Sequence, residues 1–432
     1  MKAPYETDAV HLCVYVFLQT IRTKNVPEME TTRLASPEVQ QFLRDHATTD
    51  PAEWLLRAPD VPPSWPRKAI AEQLTARQKA RKKLPTWYDA EGIVFPTPLS
   101  VEQASSERLA DYKARLLAAD WLVDLTGGLG VDSFYFARHV RQVNYVERDP
   151  EKVQAAAHNF QKLGAATIRT HTSEAAQFLK THFPQAAKPV FYLDPARRAE
   201  TGRVFRLEDC QPDVVQLQAQ LLAYGREVWI KTAPMLDLSA AQRALREVAE
   251  ILVISEGTDC REVVYILRPD APAVPDLRAV HLPKTGAPQE LRVPADTEAR
   301  TPLRTGAVQE YVYLPAPAMT KAGLFRTLSA RFDAPQLHQH AHVYTSPTYR
   351  SSFPGRHFQV LEVLPFSRKK LQRTLHDVSA HVLTRHFPMS VAELRRSFGI
   401  TDGTDDYLLF TTQHEQKRVV LKMRRVEEGR AS

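Results

Sequence analysis

The chain has 432 residues, of which 43% are hydrophobic and 25% are charged, and these values fit a globular protein of two or three domains. The net charge of +7 favours a polyanionic partner, although many proteins that bind no nucleic acid are equally basic. Three widely spaced cysteines, Cys13, Cys210 and Cys260, form no CxxC pair, which argues against a disulfide framework or a zinc site. The apolar run at residues 9–18 is too short to span a bilayer and lacks a signal-peptide cleavage site. We therefore expect a cytoplasmic protein with no membrane partner.

Residues 1–98 are predicted to form a helical N-terminal domain. Residues 36–38 (Ser-Pro-Glu) are a helix start with proline at the first helical position, and a second helix is predicted at residues 67–83. This second helix carries five basic residues towards its end and is followed by Trp87 and Tyr88. The segment either binds nucleic acid through phosphate contacts and base stacking, or it is a solvated helix whose aromatic residues pack on the next domain. The two interpretations are equally well supported.

Strands and helices alternate over residues 99–270, which is typical of a Rossmann-like α/β domain. A capping box, Ser100-x-x-Gln103, is predicted to open a helix that runs to Ala119. The predicted strands are at residues 121–125, 142–147, 166–171, 189–194, 226–231, 249–255 and 261–268. Five helical crossovers imply a mainly parallel sheet, and the short gap before the last strand predicts an antiparallel hairpin. We expect a seven-stranded sheet with one reversed strand.

A glycine-rich turn follows the first predicted strand of this domain. Asp124 lies near the end of the apolar strand, and Gly127, Gly128 and Gly130 come before a helical run. Glycine lets the backbone turn sharply and lets a ligand approach it, and the free N–H groups of the helix start point into the same crevice. Glu147 ends the second strand about 20 residues later, where a carboxylate binds ribose hydroxyls. The pattern predicts a site for a nucleoside cofactor.

The fourth predicted strand ends in Asp194-Pro195-Ala196-Arg197-Arg198. In a doubly wound sheet the ligand lies where the strand order reverses, so we expect Asp194 to face the same crevice as the glycine turn. The Asp194 carboxylate and the Pro195 carbonyl can accept hydrogen bonds from an incoming amine, and Arg197 and Arg198 can hold a phosphate. The alternative is structural: Asp194 caps a helix and the arginines form surface ion pairs. Two cofactor-type features on adjacent strands favour the functional interpretation.

The C-terminal part is predicted to be α+β. Frequent prolines indicate a poorly helical connector at residues 271–307. Two small units follow at residues 308–350 and 351–432, and the second is predicted to contain a helix at residues 369–385. Basic residues concentrate in this second unit, and no internal repeat is evident.

Three histidines in the first of these units, His338, His340 and His342, alternate in the sequence. Alternation would put them on one face of a strand, as metal ligands often are. No carboxylate or cysteine completes a ligand set, however, and histidines at the surface are the commoner explanation. We therefore predict no metal site.

Residues 124–132, Glu147 and residues 194–198 resemble the motifs of class I S-adenosylmethionine-dependent methyltransferases. Three further segments narrow the resemblance to bacterial methyltransferases with a C-terminal THUMP-like domain: residues 102–107, 231–237 and 260–262. The resemblance covers nearly the whole chain and implies a ferredoxin-like unit at residues 308–350 before a THUMP-like unit at residues 351–432. It also implies S-adenosylmethionine as cofactor and methyl transfer to RNA (tRNA or rRNA), because THUMP domains are associated with RNA binding.

The resemblance assigns roles to the residues that match its motifs. The cofactor-binding residues that it implies are Asp124, Thr126, Gly127, Gly128, Gly130, Glu147, Glu174 and Asp194. Thr126 stands where the usual motif has its first glycine, a variant in which the motif reads Asp-x-Thr. Glu174 stands where an aspartate usually contacts adenine, and it has one more methylene.

Methyl transfer from a sulfonium is an in-line displacement, which needs a positioned nucleophile more than a strong base. Asp194 with the Pro195 carbonyl suits an exocyclic or ring nitrogen, and Lys231 after the fifth strand is expected to line the acceptor pocket. Carbon methylation of a pyrimidine needs a cysteine nucleophile, and none follows Pro195. The sequence therefore favours N-methylation of an RNA base. The alternatives are a nicotinamide-dependent oxidoreductase, which Ser133 at the third glycine position disfavours, and a catalytically silent RNA-binding protein.

Overall fold

The computed structural model describes residues 30–57, 61–62, 65–182, 188–197, 206–403 and 405–426. It divides into two compact units. Of the described residues, the first unit contains those within 30–107, Gly128–Val131 and Asp149–Ala166, and the second contains those within Arg108–Gly127, Asp132–Arg148 and 167–426. Cys13 and the apolar run at residues 9–18 lie outside the described residues. Over the ranges just given, no helix combines the length and the apolar character needed to cross a bilayer.

The described part of the first unit is helical. Its helices are Glu30–Leu34, Pro37–Asp45, Pro51–Arg57, Arg67–Lys83, Pro85–Asp89, Pro98–Gln103 and Pro150–Lys162. The second of them begins as predicted, because Ser36 Oγ accepts a hydrogen bond from Val39 N at 3.4 Å and Pro37 takes the first helical position. The core of this unit is formed by Leu34, Val39, Leu43, Trp54, Ile70, Leu74 and Val94.

The basic helix Arg67–Lys83 has the predicted bounds, but few of its features suit nucleic-acid binding. The Arg77 side chain is buried within the helical unit, and Lys79 forms an ion pair with Glu102. Trp87 is fully buried, so its ring is not exposed for stacking on a base. The observed packing favours the structural interpretation of this segment.

The next helical segment is shorter than predicted. Thr97 is the N-cap, since its Oγ1 accepts a hydrogen bond from Ser100 N at 3.1 Å, and the helix spans Pro98–Gln103. Ala104 has an extended backbone with ψ of 154°, and a separate helix spans Glu107–Leu116. The prediction of one long helix capped by Ser100 was wrong, because proline at the first helical position moves the cap to the residue before it.

The described part of the second unit contains a nine-stranded sheet. Its strands are β1 (Trp121–Asp124), β2 (Gln142–Glu147), β3 (Ile168–Thr172), β4 (Val190–Leu193), β7 (Glu227–Thr232), β8 (Val248–Glu256), β9 (Asp259–Leu267), β10 (Asp276–Leu282) and β11 (Gln289–Pro294). A two-stranded ribbon, β5 (Ala196–Arg197) and β6 (Cys210–Gln211), lies outside it. The order is β11-β10-β8-β9-β7-β4-β1-β2-β3, and β9 runs antiparallel to both of its neighbours. All seven predicted strands are present.

Two additional strands, β10 and β11, come from the segment predicted to be a connector. β10 pairs in parallel with β8, and β11 pairs antiparallel with β10. The prolines nearest these strands lie at their ends: Pro275 and Pro283 flank β10, Pro288 precedes β11, and Pro294 ends it. Because proline removes a backbone donor only at its own position, it does not interrupt the hydrogen bonds between these strands. The connector assignment was therefore wrong for residues 276–294.

A second sheet follows, with six strands in the described residues. Its strands are β12 (Tyr311–Pro315), β13 (Tyr344–Ser346), β14 (Gly355–Pro365), β15 (His381–Arg385), β16 (Asp406–Thr412) and β17 (Arg418–Arg425). The order is β13-β12-β14-β17-β16-β15. The helix predicted at residues 369–385 is the short helix Arg368–Thr374 followed by β15, which pairs in parallel with β16. Alternation of burial around Val382 fits a strand, and the longer helix was a wrong prediction.

The other helices of the chain connect or flank these strands. Within the described residues these helices are Val131–Phe136, Ala175–His182, Val214–Tyr224, Leu238–Ala244, Thr297–Arg300, Pro317–Lys321, Phe325–Arg331 and Val391–Phe398. The six-stranded sheet has an apolar cluster on each face. Leu409 and Leu421 belong to one cluster, and Leu408, Phe410 and Val420 belong to the other.

Candidate active site

Three predicted acidic residues lie at the carboxyl ends of parallel strands. Asp124 ends β1, Glu147 ends β2, and Asp194 follows β4. β1 pairs with β2 on one side and with β4 on the other, which makes Tyr145 and Tyr192 the register partners of Asp124. The strand order reverses between β1 and β4, where doubly wound sheets bind their ligands. The structure therefore brings these three residues to one edge of the sheet.

Thr126 links the glycine-rich segment to β4. Its hydroxyl oxygen accepts a hydrogen bond from the backbone N–H of Asp194 at 2.6 Å, and its own N–H donates to Asp124 Oδ1 at 3.0 Å. A glycine at position 126 would lack the first of these bonds. The departure from the usual motif therefore has a structural role: it fixes the backbone of Asp194 relative to β1.

The glycines of the turn are required by its geometry. A Cβ atom on Gly127 would lie 2.1 Å from Cε2 of Tyr145, a buried ring that cannot move away easily. Gly127 N also donates to the carbonyl of Val146 at 2.9 Å, which anchors the turn to β2. Gly128 and Gly130 have φ values of 55° and 91°, in the region that glycine adopts without strain.

The carboxyl group of Asp124 is almost completely buried, at 1% exposure. Burial raises its pKa to about 7, with a further contribution from the charges of Asp132 and Asp194, although hydrogen bonds from Ser133 and Thr126 N oppose the shift. Ser133 Oγ donates to Asp124 Oδ2 at 2.6 Å. A carboxyl group that titrates near neutral pH at a strand end can accept a nearby cationic ligand group, which would favour its ionised form.

Lys231 is buried beside Asp194. Its Nζ lies 2.6 Å from Asp194 Oδ2 and 3.7 Å from Asp132 Oδ2, and the lysine side chain is 8% exposed. Burial alone would lower the pKa of Lys231, but the carboxylates of Asp194, Asp132 and Glu262 raise it overall. The ammonium group therefore stays charged and orients the carboxylate of Asp194.

A second buried lysine, Lys113, extends this network. Its Nζ lies 2.9 Å from Asp132 Oδ1, 2.9 Å from Glu262 Oε1 and 3.1 Å from the Tyr192 hydroxyl, which donates to Asp132 Oδ2 at 2.9 Å. Burial would raise the pKa of Asp132, but the two lysines lower it to about 2. Asp132 and Glu262 belong to segments that the sequence analysis singled out, but their shared ion pair with Lys113 could not be predicted. No sequence pattern indicated a role for Lys113.

The remaining predicted site residues are at different places around this edge. Glu174 precedes the helix Ala175–His182 and forms an ion pair with Arg148 at 3.8 Å, with both side chains about half exposed. Pro195 is buried directly after Asp194. Arg197 belongs to β5, but its side chain lies outside the described residues, as does the whole of Arg198.

The three alternating histidines are not on a strand. His338, His340 and His342 lie in the turn that precedes β13, and His342 has φ of 51°. His338 is buried and its ring stacks on His386 at a centroid distance of 4.6 Å. Their assignment to one strand face was wrong, because alternation in a short polar segment occurs equally in turns. Among the described side chains, no group of three His, Cys, Asp or Glu residues could hold a metal ion.

The mainly parallel sheet with its reversed strand β9, the glycine turn and the acidic strand ends are those of a class I methyltransferase. The family model described as THUMP domain-like matches residues 355–425, and the model described as ferredoxin-like domain matches residues 311–354. A crystal structure of a protein from Porphyromonas gingivalis W83, described as a methyltransferase, superposes on this chain with a TM-score of 0.79 and 32% sequence identity. The superposition covers 90% of this chain and 98% of that one.

Proteins of two Mycobacterium tuberculosis strains, CDC 1551 and H37Rv, are also similar. They are described as S-adenosylmethionine-dependent methyltransferases and are 27% identical over 303 residues, which is 69% of this chain and 79% of theirs. The chain belongs to the class I methyltransferases that carry a C-terminal THUMP-like domain, and its cofactor is S-adenosylmethionine. The near-neutral carboxyl group of Asp124 and the carboxylate of Glu147 fit a ligand with an ammonium group and ribose hydroxyls. The predicted class of enzyme is confirmed.

Proposed function

We propose that this cytoplasmic enzyme transfers the methyl group of S-adenosylmethionine to a nitrogen of a base in RNA, either tRNA or rRNA. The observation that carries the proposal is the doubly anchored Asp194-Pro195 pair at the end of β4. The Asp194 backbone is held by Thr126 Oγ1, and its carboxylate is held by the ammonium group of Lys231 at 2.6 Å.

This arrangement suits a nitrogen acceptor. The carboxylate of Asp194 accepts a hydrogen bond from an N–H group of the acceptor and so orients the nitrogen lone pair. The Pro195 carbonyl offers a second acceptor next to it. Asp194 and Pro195 are therefore the proposed catalytic residues, and Lys231 is a positioning residue that acts through Asp194.

The proposed cofactor contacts follow the same edge of the sheet. Bound S-adenosylmethionine supplies an electrophilic methyl group. The ammonium group is assigned to the region of Asp124, and the ribose hydroxyls are assigned to Glu147. The backbone from Thr126 to Gly130 provides close approach, and Glu174 is the proposed adenine contact. Because Glu174 is half exposed and paired with Arg148, it has to change partner to make that contact.

Carbon methylation finds no support among the described cysteines. Cys210 lies close to the site, on β6, which pairs with β5 directly after Pro195. Burial raises the pKa of its thiol to about 11, with a further contribution from nearby aspartates, and burial raises that of Cys260 to about 11 as well. Neither thiol is a nucleophilic thiolate at neutral pH. This argues for nitrogen rather than carbon as the acceptor atom.

An RNA substrate is supported by the THUMP-like match and by charge. The helix Arg368–Thr374 has exposed Arg368, Lys369, Lys370 and Arg373, and none of these has an ion pair within the residues that the structure describes. Basic side chains of this kind neutralise phosphates and give RNA affinity that falls with salt. Arg197 and Arg198 are proposed to contact substrate phosphate near the site.

Mass-spectrometric profiling of nucleosides in tRNA and rRNA from a strain that lacks the gene tests the proposal. We expect one N-methylated nucleoside to disappear in this strain. It should return when the wild-type gene is supplied, and also with the control variant Asp270→Ala, which changes an exposed aspartate. It should not return with Asp194→Ala. If Asp194→Ala restores the modification fully, the assigned catalytic role is wrong. If no nucleoside changes while the purified protein still binds RNA, the protein is instead a catalytically silent RNA-binding protein.

A further inference from the structure

One face of the six-stranded sheet gathers arginine and aromatic side chains. Phe358 pairs with Arg425 across β14 and β17, and Tyr407 of β16 pairs with both Met423 and His381. Paired residues, and residues two apart on one strand, share a face. We call this surface the arginine face, and its members are Arg356, Phe358, His381, Arg385, Tyr407 and Arg425.

Part of the same side of the sheet is covered by the chain itself. Leu337, Ala341 and Val343 pack there against Leu409 and Leu421. Beyond this cover, Tyr407, His381, Arg356 and Arg385 are only half-buried, and Arg425 is exposed. The arginine face is therefore a partly open continuation of a well-packed core.

The charge on this face is of one sign. None of the residues that the strand register assigns to it is acidic, and within the described chain no carboxylate forms an ion pair with Arg356, Arg385 or Arg425. Burial lowers the pKa of Arg356, and the charge of Arg385 lowers it further. Guanidinium groups that are half-buried together raise each other's free energy, and an anion between them would offset that cost.

Aromatic rings lie among these guanidinium groups. The Tyr407 ring is 4.9 Å from the ring of His381 and 5.0 Å from that of Phe358, measured between centroids, and the Arg356 guanidinium carbon is 5.9 Å from the Phe358 centroid. Half-exposed rings beside unpaired arginines are the combination that binds single-stranded nucleic acid, with phosphates on the arginines and bases on the rings.

We propose that the arginine face binds a single-stranded segment of the RNA substrate, with phosphates on Arg356, Arg385 and Arg425 and bases stacked on Tyr407 and His381. The inference rests on the proposed function, which it deepens by naming where the substrate docks. An acidic protein segment would also satisfy the arginines, but it would have no use for the half-exposed rings of Tyr407 and His381. The rings therefore favour RNA over an acidic protein.

Fluorescence anisotropy with a labelled single-stranded oligoribonucleotide and the full-length protein tests this. We expect Arg385→Gln and Arg425→Gln each to weaken binding about tenfold and to reduce the slope of log affinity against log salt by about 1. Tyr407→Leu should weaken binding about tenfold with an unchanged salt slope, and Tyr407→Phe, which keeps the ring, should bind as the wild type does. If a substitution at the half-buried Arg385 or Tyr407 prevents folding, Arg425→Gln still tests the proposal, because Arg425 is exposed.

Arg226→Gln is the matched control. Arg226 is exposed directly before β7, at the amino ends of the parallel strands of the other sheet, and it carries the same charge as the test residues. The inference is overturned if Arg226→Gln weakens binding as much as Arg385→Gln does. It is also overturned if Tyr407→Leu has no effect, or if an oligoglutamate peptide binds as tightly as the RNA, which would indicate an acidic protein partner.

The two proposals can fail separately. If nucleoside profiling finds no RNA modification, the proposed function is wrong whatever the binding data show. If RNA is methylated but Arg385→Gln and Arg425→Gln leave the KM for RNA unchanged, only the docking surface is wrong. An increase of about tenfold in KM for RNA, with unchanged affinity for S-adenosylhomocysteine, supports both.

Discussion

Replacement of Lys113 by methionine is predicted to destabilise the second unit strongly. Lys113 is 0% exposed, and its Nζ lies 2.9 Å from both Asp132 Oδ1 and Glu262 Oε1. Methionine keeps most of the volume but leaves two buried carboxylates without this cation. Removal of one partner from a buried pair costs about 3–5 kcal/mol, and Lys231 at 3.7 Å still compensates Asp132 in part, so we expect about 4 kcal/mol. That is a large share of the about 5–15 kcal/mol that stabilises a typical domain.

Urea denaturation at pH 7 measures this loss as a change in the free energy of unfolding. The control is Lys79→Met, because Lys79 pairs with Glu102 where the two side chains are 38% and 50% exposed, and such a pair contributes about 1 kcal/mol or less. The pKa of Asp132 is lowered to about 2, so its contribution is present above about pH 4 and is lost as pH falls towards 2. The difference between wild type and Lys113→Met should therefore shrink in acid. A loss no larger than that of Lys79→Met, or one independent of pH, would refute the reasoning.

Two further predictions concern the cofactor edge. Burial raises the pKa of Asp124 to about 7, so its carboxylate becomes protonated as pH falls through 7. The affinity for S-adenosylhomocysteine in titration calorimetry should therefore decrease below that pH, towards about tenfold per pH unit. Asp124→Asn should remove this pH dependence, and a wild-type protein without it would contradict the assignment. Thr126→Val removes the acceptor that lies 2.6 Å from Asp194 N, which costs about 1–3 kcal/mol, so kcat should fall by about tenfold or more while the affinity for S-adenosylhomocysteine changes little. Thr181→Val, at an exposed position of the helix Ala175–His182, is the control and should leave kcat unchanged.

The nine-stranded sheet shows which features a sequence can predict. Strands β1, β2 and β4 are short apolar runs bounded by polar residues, and their bounds agree with the prediction to within a residue or so. β10 and β11 were missed because prolines suggested an irregular connector. Their pairing depends on the edge that β8 offers, which is a property of the assembled sheet and not of the segment itself.

The candidate site also contains residues that local sequence patterns predict and residues that only the assembled fold reveals. Asp124 and Asp194 were predicted because strand ends and a glycine turn are local patterns. Glu262 is 149 residues from Lys113 in sequence, and nothing near Lys113 indicates that it is buried. An ion pair of this kind is decided by packing between distant elements, so single-sequence reasoning finds carboxylates at strand ends more readily than the lysines that pair with them.

The pairing of Asp194 with Lys231 restricts what the acceptor can be. In the proposed catalytic role, a carboxylate held at 2.6 Å from an ammonium group contributes a directed hydrogen-bond acceptor. It therefore favours an acceptor nitrogen that carries a hydrogen, because only an N–H group can donate to it. An anionic acceptor, such as a carboxylate or a phosphate oxygen, would meet the charge of Asp194 at the point of reaction and be repelled. An amino group on a base satisfies both conditions, since it is neutral, donates the hydrogen bond and turns its lone pair away from Asp194, towards the side from which the methyl group arrives.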